Sequence, residues 1–178
     1  MSFTLYNSTI PELHRALGAL TSILTRAQSE PNSASFFNLR LHSDMLSFSA
    51  QVHLTTDVIQ KTVHRLTGRE PLELSYDEIK TFSDAYGRIG RVRKLLEDAE
   101  IDEDLINSYA GKHVPLNLGP GKGNRSVEVL GSAYVASYAY PNLFFHLTTA
   151  YAILRKEGID IGIWDFMTPF MGEFIGSE

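Results

Sequence analysis

Cysteine is absent from the 178 residues. That removes disulfides, Cys-ligated zinc, iron–sulfur clusters and thiol nucleophiles together. No apolar run approaches the ~20 residues that span a bilayer, so no membrane partner is expected. Met1-Ser2-Phe3-Thr4-Leu5-Tyr6 has neither a basic start nor a long apolar stretch, and the expectation is a cytoplasmic protein without a signal peptide. Positive charge is scarce: 16 Lys and Arg face 21 Asp and Glu, a net charge of −5, and five acids with no Lys or Arg follow Lys156. That balance argues against a nucleic-acid partner. Arg88, Arg91, Arg93 and Lys94 do cluster, but Glu97 and Asp98 follow at once, and the set reads as a solvated helix face. No Gly-x-Ser-x-Gly elbow is present. No serine stands in a recognisable pattern with a histidine and an acid.

What is there is globular: 43% hydrophobic and 21% charged residues, enough for one domain over residues 1–178 with its own core. Leu13, Leu17, Leu20, Leu24 and Ala27 recur at three- and four-residue steps and predict a first helix over about residues 8–28, with Pro11 in its first turn. Met45, Phe48, Val52, Ile59, Val63 and Leu66 predict a second over about 44–66, capped by Ser43 or Asp44 and left through Gly68. Ser75-Tyr76-Asp77-Glu78 matches a capping box and predicts the start of a third helix carrying Ile79, Phe82, Tyr86, Ile89, Val92 and Leu96. Gly87 and Gly90 inside it suggest close packing. Residues 102–108 read as one more short helical piece.

Between 111 and 130 the period changes from helical to alternating. Val114, Leu116 and Leu118, then Val127 and Val129, flank Gly119-Pro120-Gly121-Lys122-Gly123-Asn124, a hairpin with a glycine-rich tip. A phosphate loop would need Ser or Thr after the lysine, where Gly123 stands. A fourth helix over about 132–157 is apolar on more than one face and so buried on more than one side. Pro141 is expected to kink it. The tail over 159–178 carries Trp164, Phe166, Met167, Phe170, Met171, Phe174 and Ile175. It is expected to be buried on the bundle or against a second copy in a homodimer, with Pro169 preventing one uninterrupted helix.

The order helix, helix, capped helix, hairpin, long buried helix resembles the DinB/YfiT-like helical-bundle superfamily. Within it, the chain resembles an uncharacterised family, a domain of unknown function of bacteria and fungi. The stretches that carry the likeness are Asp44-Met45 with Gln51-Val52, Arg65-Leu66-Thr67-Gly68, residues Tyr140 to Arg155 with Pro141-Asn142-Leu143-Phe144-Phe145-His146, and Gly158 with Asp165-Phe166. The resemblance implies an all-α, up-down-down-up four-helix bundle with a small hairpin between helices 3 and 4. It further implies a divalent metal, zinc or nickel, held by one histidine of the second helix and two of the fourth at i and i+4, and in some members thiol-transfer or isomerisation chemistry. Here only part of that set is present. His146 occupies the second fourth-helix position, Asn142 stands where the other histidine belongs, and His53 is the counterpart from the second helix, with Gln51 competing.

Helical geometry places His146 on one stripe with Val135, Ala139, Asn142, Thr149 and Ile153, so Asn142, His146 and Thr149 form a polar island on a buried element. Buried polar groups require partners. His53 lies at the edge of the second helix's apolar stripe, with Asp57 four residues on as a candidate carboxylate behind its ring. His64 is read as a surface residue. Three readings stay open. One is a small-molecule pocket between the second and fourth helices lined by Gln51, His53, Asn142, His146 and Thr149. Another is a metal-dependent enzyme in which His53 and His146 hold the ion. The last is a structural protein in which the island only ties helices together.

Overall fold

The structure is a computed structural model that describes residues 3–100 and 102–175; the expectations touching Met1, Ser2 and residues 176–178 lie outside the described residues. Four long elements make the bundle: α1 (Ile10–Gln28), α2 (Phe48–Thr67), α3 (Phe82–Glu100) and a last one built from α5 (Gly131–Tyr134), a π-helical turn (Val135–Ala139) and α6 (Tyr140–Lys156). The short α4 (Glu103–Ser108) and a two-stranded hairpin, β1 (His113–Asn117) and β2 (Ser126–Leu130), connect α3 to α5. The helices pack in the ring order α1, α3, α2, α6, with α1 and α2 nearly diagonal. The apolar spacing predicts the helices and the hairpin, and the up-down-down-up bundle they build is the one that the resemblance implies.

Two helix starts differ from expectation, each for a local reason. The second helix begins at Phe48, not near Asp44, because Ser47 is the residue whose side chain accepts the Ala50 N–H. Its exit through Gly68 at φ 69° is as the sequence implied. Ser75 accepts from Asp77 N but opens only one 3-10 turn, Tyr76–Glu78. Glu78 is turned instead to Arg88, 2.6 Å away. The reciprocal box sits six residues later. Thr81 Oγ1 accepts from Asp84 N at 3.2 Å, and the Asp84 carboxylate accepts from Thr81 N at 2.8 Å. Close packing does not explain Gly87 and Gly90, since a Cβ at either would meet nothing within 4 Å.

Pro141 widens the last helix rather than merely bending it. Proline has no N–H for the carbonyl four residues back, and in the turn before it Tyr140 N–H reaches Val135 O, five residues back. The hairpin pairs Val114 with Val129 and Leu116 with Val127, and Val114 and Leu116 are buried. The tail forms α7 (Ile163–Ile175), a single helix that contains Pro169, contrary to the expected break. The proline is accommodated at close range: a Cβ on Gly18 of α1 would lie 2.9 Å from Pro169 Cβ. Nor is the tail wholly buried. Phe166 and Phe170 pack on the bundle, Phe170 against Phe144 and Phe166 against Tyr151. Ile163, Trp164 and Phe174 remain exposed, and the side chain of Ile175 is outside the described set.

Candidate functional site

The face between α2 and α6 brings Gln51 and His146 together. Gln51 is buried, and its amide nitrogen donates to Leu46 O at 3.3 Å. That fixes which way the amide points: Oε1 is left for α6, where His146 Nδ1 lies 2.8 Å away. An amide oxygen can only accept, so His146 Nδ1 is the donor and its Nε2 carries the lone pair.

His53, two residues along α2, has the opposite arrangement. Its Nδ1 lies 2.9 Å from Arg88 Nη1. A guanidinium has no acceptor, so Nδ1 accepts and the ring proton sits on Nε2. Arg88 comes from α3 with a side chain only 2% exposed. It also donates to Ser75 O at 2.5 Å and to Glu78 Oε2 at 2.6 Å. A buried cation is tolerated when its donors are satisfied and a carboxylate is near, and Arg88 has both. The expectation of a solvated face for Arg88 is thereby corrected. Its position was available from spacing, since Ala85, Arg88, Ile89 and Val92 all lie on the stripe that α3 turns inward. Arg91 and Lys94 do face solvent, as read from the sequence.

Burial disfavours the charged form of both rings. Burial lowers the His146 pKa, and the nearby His53 lowers it further. Burial also lowers that of His53; Asp57 opposes the shift and the Arg88 charge adds to it. Asp57 does not bond the His53 ring, contrary to the i,i+4 reading. It takes Gln60 at 2.9 Å and Lys61 at 2.6 Å, because a lysine one turn away offers a full charge. Around the two histidines stand residues that keep substantial exposure: Tyr76 (41%), its ring edge-on to His53 at 5.6 Å, Leu46 (46%) and Phe145 (59%), edge-on to His146 at 5.3 Å.

The remaining sequence candidates lie elsewhere or are already occupied. Thr149 is buried, and its hydroxyl donates to Phe145 O at 2.6 Å within its own helix. Asn142 lines a neighbouring cavity with Lys61, Arg65 and Tyr138. Asp44 is exposed in the loop before α2 and pairs with His42 at 2.6 Å. His64 is half-buried rather than at the surface and bonds the Arg69 carbonyl through Nδ1. Tyr76 was missed because it lies in a loop whose path only the fold reveals.

These positions do not fit a divalent ion. A metal-bound imidazole gives the ion its lone pair and donates its other N–H to an acceptor. His146 could do so through Nε2, with Gln51 behind it. His53 could not: Arg88 occupies its lone pair and adds a positive charge. Among the described residues no three His, Asp or Glu side chains converge on one point.

Known proteins resemble the chain at the level of family and fold. Residues 5–167 match the family model described as domain of unknown function (DUF1993). Among solved structures, a DinB family member protein from Shewanella denitrificans is 27% identical, with a TM-score of 0.78 over 91% of this chain and 90% of that one. A search of the curated proteins gave no match. The bundle geometry and a family match that runs from the start of the structure into α7 agree: the chain belongs to the DUF1993 family of DinB-like helical bundles.

Proposed function

We propose that this protein binds a small, neutral, planar molecule between α2 and α6, one that presents a hydrogen-bond acceptor beside a donor, as an amide or lactam does. The observation that carries the reading is the opposed pair of histidine tautomers. Arg88 leaves His53 with an Nε2–H to give, and Gln51 leaves His146 with an Nε2 lone pair to receive. Because burial lowers both pKa values, the pair is uncharged at neutral pH, and the one buried cation beside it is already matched by Glu78. A charged ligand would find no unmatched charge there. Tyr76, Leu46 and Phe145 supply apolar surface around a polar centre, the usual composition of a small-ligand site. The arrangement binds and orients; it needs no metal.

The test is nitrogen NMR of histidine-labelled protein. The free protein should show the Nε2–H form at His53 and the Nδ1–H form at His146, and titration with benzamide should shift both sets of signals saturably. The shifts should vanish in His146→Phe. Zinc added at stoichiometric amounts should leave both tautomers unchanged. Tautomers other than these, zinc-induced shifts at both rings, or no response to benzamide at millimolar concentration would overturn the reading in favour of a metal site or a structural network.

A further inference from the structure

We infer a second binding site, for an organic anion with an apolar body, in the cavity where α2 meets the hairpin tip and the π-helical turn. It does not rest on the histidine pair. The cavity measures about 430 Å³, and its walls include Lys61 and Arg65 of α2, Asn117 and Gly119 of the hairpin tip, and Tyr138 and Asn142 of the last helix. That volume suits a molecule of a few ring sizes.

Its charge is unbalanced. Asp57 faces the same space but is taken by Lys61 at 2.6 Å, so the two cations stand against one carboxylate. Arg65 meets no carboxylate among the described residues. Instead it is held rigidly: Nε donates to Pro115 O at 3.0 Å, Nη1 donates to Lys61 O at 3.3 Å, and the guanidinium carbon lies 5.1 Å from the Tyr134 ring centre. Those bonds, with a 3.5 Å contact from Nη1 to the Tyr134 hydroxyl, engage Nε and Nη1 and leave the Nη2 donors for another acceptor. A guanidinium fixed in advance loses little freedom on binding an oxyanion.

Two further groups fit the same ligand. The half-buried Asn142 amide has no hydrogen-bond partner among the described residues. Leu54, Val58 and Tyr138 give the cavity an apolar side. Tyr138 reaches it because the widened turn between Val135 and Ala139 sets its ring against Tyr134, with centroids 5.9 Å apart and planes at 29°. A carboxylate or a phosphate monoester would therefore place its oxygens at Arg65, Lys61 and Asn142 and its apolar part along Leu54, Val58 and Tyr138.

Calorimetric titration of the full chain with benzoate, phenyl phosphate and inorganic phosphate tests this. At least one aromatic anion should bind saturably, more tightly than inorganic phosphate and less tightly as salt is raised. Which of the two binds better identifies the acid group. Lys61→Gln and Asn142→Leu, whose side chains tie no other element of the fold, should each weaken binding by about tenfold, the loss of one charged or polar contact. His146→Phe should leave it unchanged, so this site and the histidine pair can fail separately. No saturable binding by wild-type protein, equal affinity for inorganic phosphate, or unaltered binding in both Lys61→Gln and Asn142→Leu would overturn the inference.

Discussion

The inner faces of α1 and α2 are of similar length and bury different chemistry. Between Ile10 and Ala27 the first helix buries only aliphatic side chains. The second buries Gln51, Thr55, Thr56, Gln60, Thr62 and Thr67 among its apolar residues. Most of that polarity is local. Thr55, Thr56, Thr62 and Thr67 each donate to a carbonyl four residues earlier on their own helix. Threonine in that posture is satisfied without help and says nothing about a ligand; of the four, Thr62 also meets the Tyr134 hydroxyl, at 3.3 Å. The informative residues are those whose partners lie on another element: Gln51 on His146, His53 on Arg88, and Gln60 on the Leu72 amide. A polar helix face marks a site only after its self-satisfied members are set aside.

Removing Arg88 should break the α2 side of this comparison most severely. Arg88→Ala strands the His53 Nδ1 and the Ser75 carbonyl and frees the loop that carries Tyr76. A loss of about 3 kcal/mol is expected, as for a buried charged group whose partners remain. Urea unfolding with an unchanged slope checks it. A change below about 1 kcal/mol, the range of a surface pair, would show that Arg88 is not the tie between α2, α3 and the 69–81 connection.

Much of this was legible in advance, and the failures have physical causes. Helix period, the Gly68 exit and the alternating hairpin follow from local rules and were readable. Gln51 and His146 were both named, His146 because a polar residue on an inward stripe stands out and Gln51 because the resemblance set it in competition with His53. Arg88 was not. A cluster of like charges looks solvated until each residue is placed on its own helical face, and only then does one of them point inward. The partner of His53 was misassigned for a related reason: i,i+4 spacing shows who can meet, whereas Lys61 and Arg88 decided who did. The tail was misread because the cost of a proline inside a helix was weighed alone. Gly18 on the facing helix lets the Pro169 ring approach closely, and sequence cannot show that pairing.

The Gln51–His146 bond sharpens the comparison at an intermediate scale. Gln51→Leu alone leaves the His146 N–H without its acceptor, and His146→Phe alone leaves a buried amide oxygen bare. Each should cost about 1–2 kcal/mol, and the double variant should cost less than the two together. Thr55→Val, which removes a bond confined to one helix, should change stability by no more than about 0.5 kcal/mol. If Thr55→Val were as costly as His146→Phe, the distinction between self-satisfied and inter-helix polar groups would fail.

A smaller effect than the loss of the Gln51–His146 bond is expected from pH, and it belongs to the histidine side alone. The folded pKa values of His53 and His146 lie below the ordinary 6.5. Above that pH both rings are neutral in folded and unfolded chains, and their contribution is fully present. As the pH falls below 6.5, the unfolded chain takes up protons first, so stability declines through the lowered folded values and then levels off. Both rings are half-buried, so the combined loss should be smaller than that of either single variant of the Gln51–His146 bond. Glu78, Asp84 and Asp165 have lowered pKa values of their own. Their contributions are lost only as the pH falls below the carboxylate range near about 4, so the two windows separate. Unfolding by urea between about pH 7.5 and about 5, at fixed ionic strength, should show the decline in the wild type and a flatter profile in the His53→Gln, His146→Gln double variant. A wild-type profile that rises towards acid would mean the folded state binds the protons more tightly. The rings would then be charged when buried, and the opposed neutral tautomers could not be the resting state of the site.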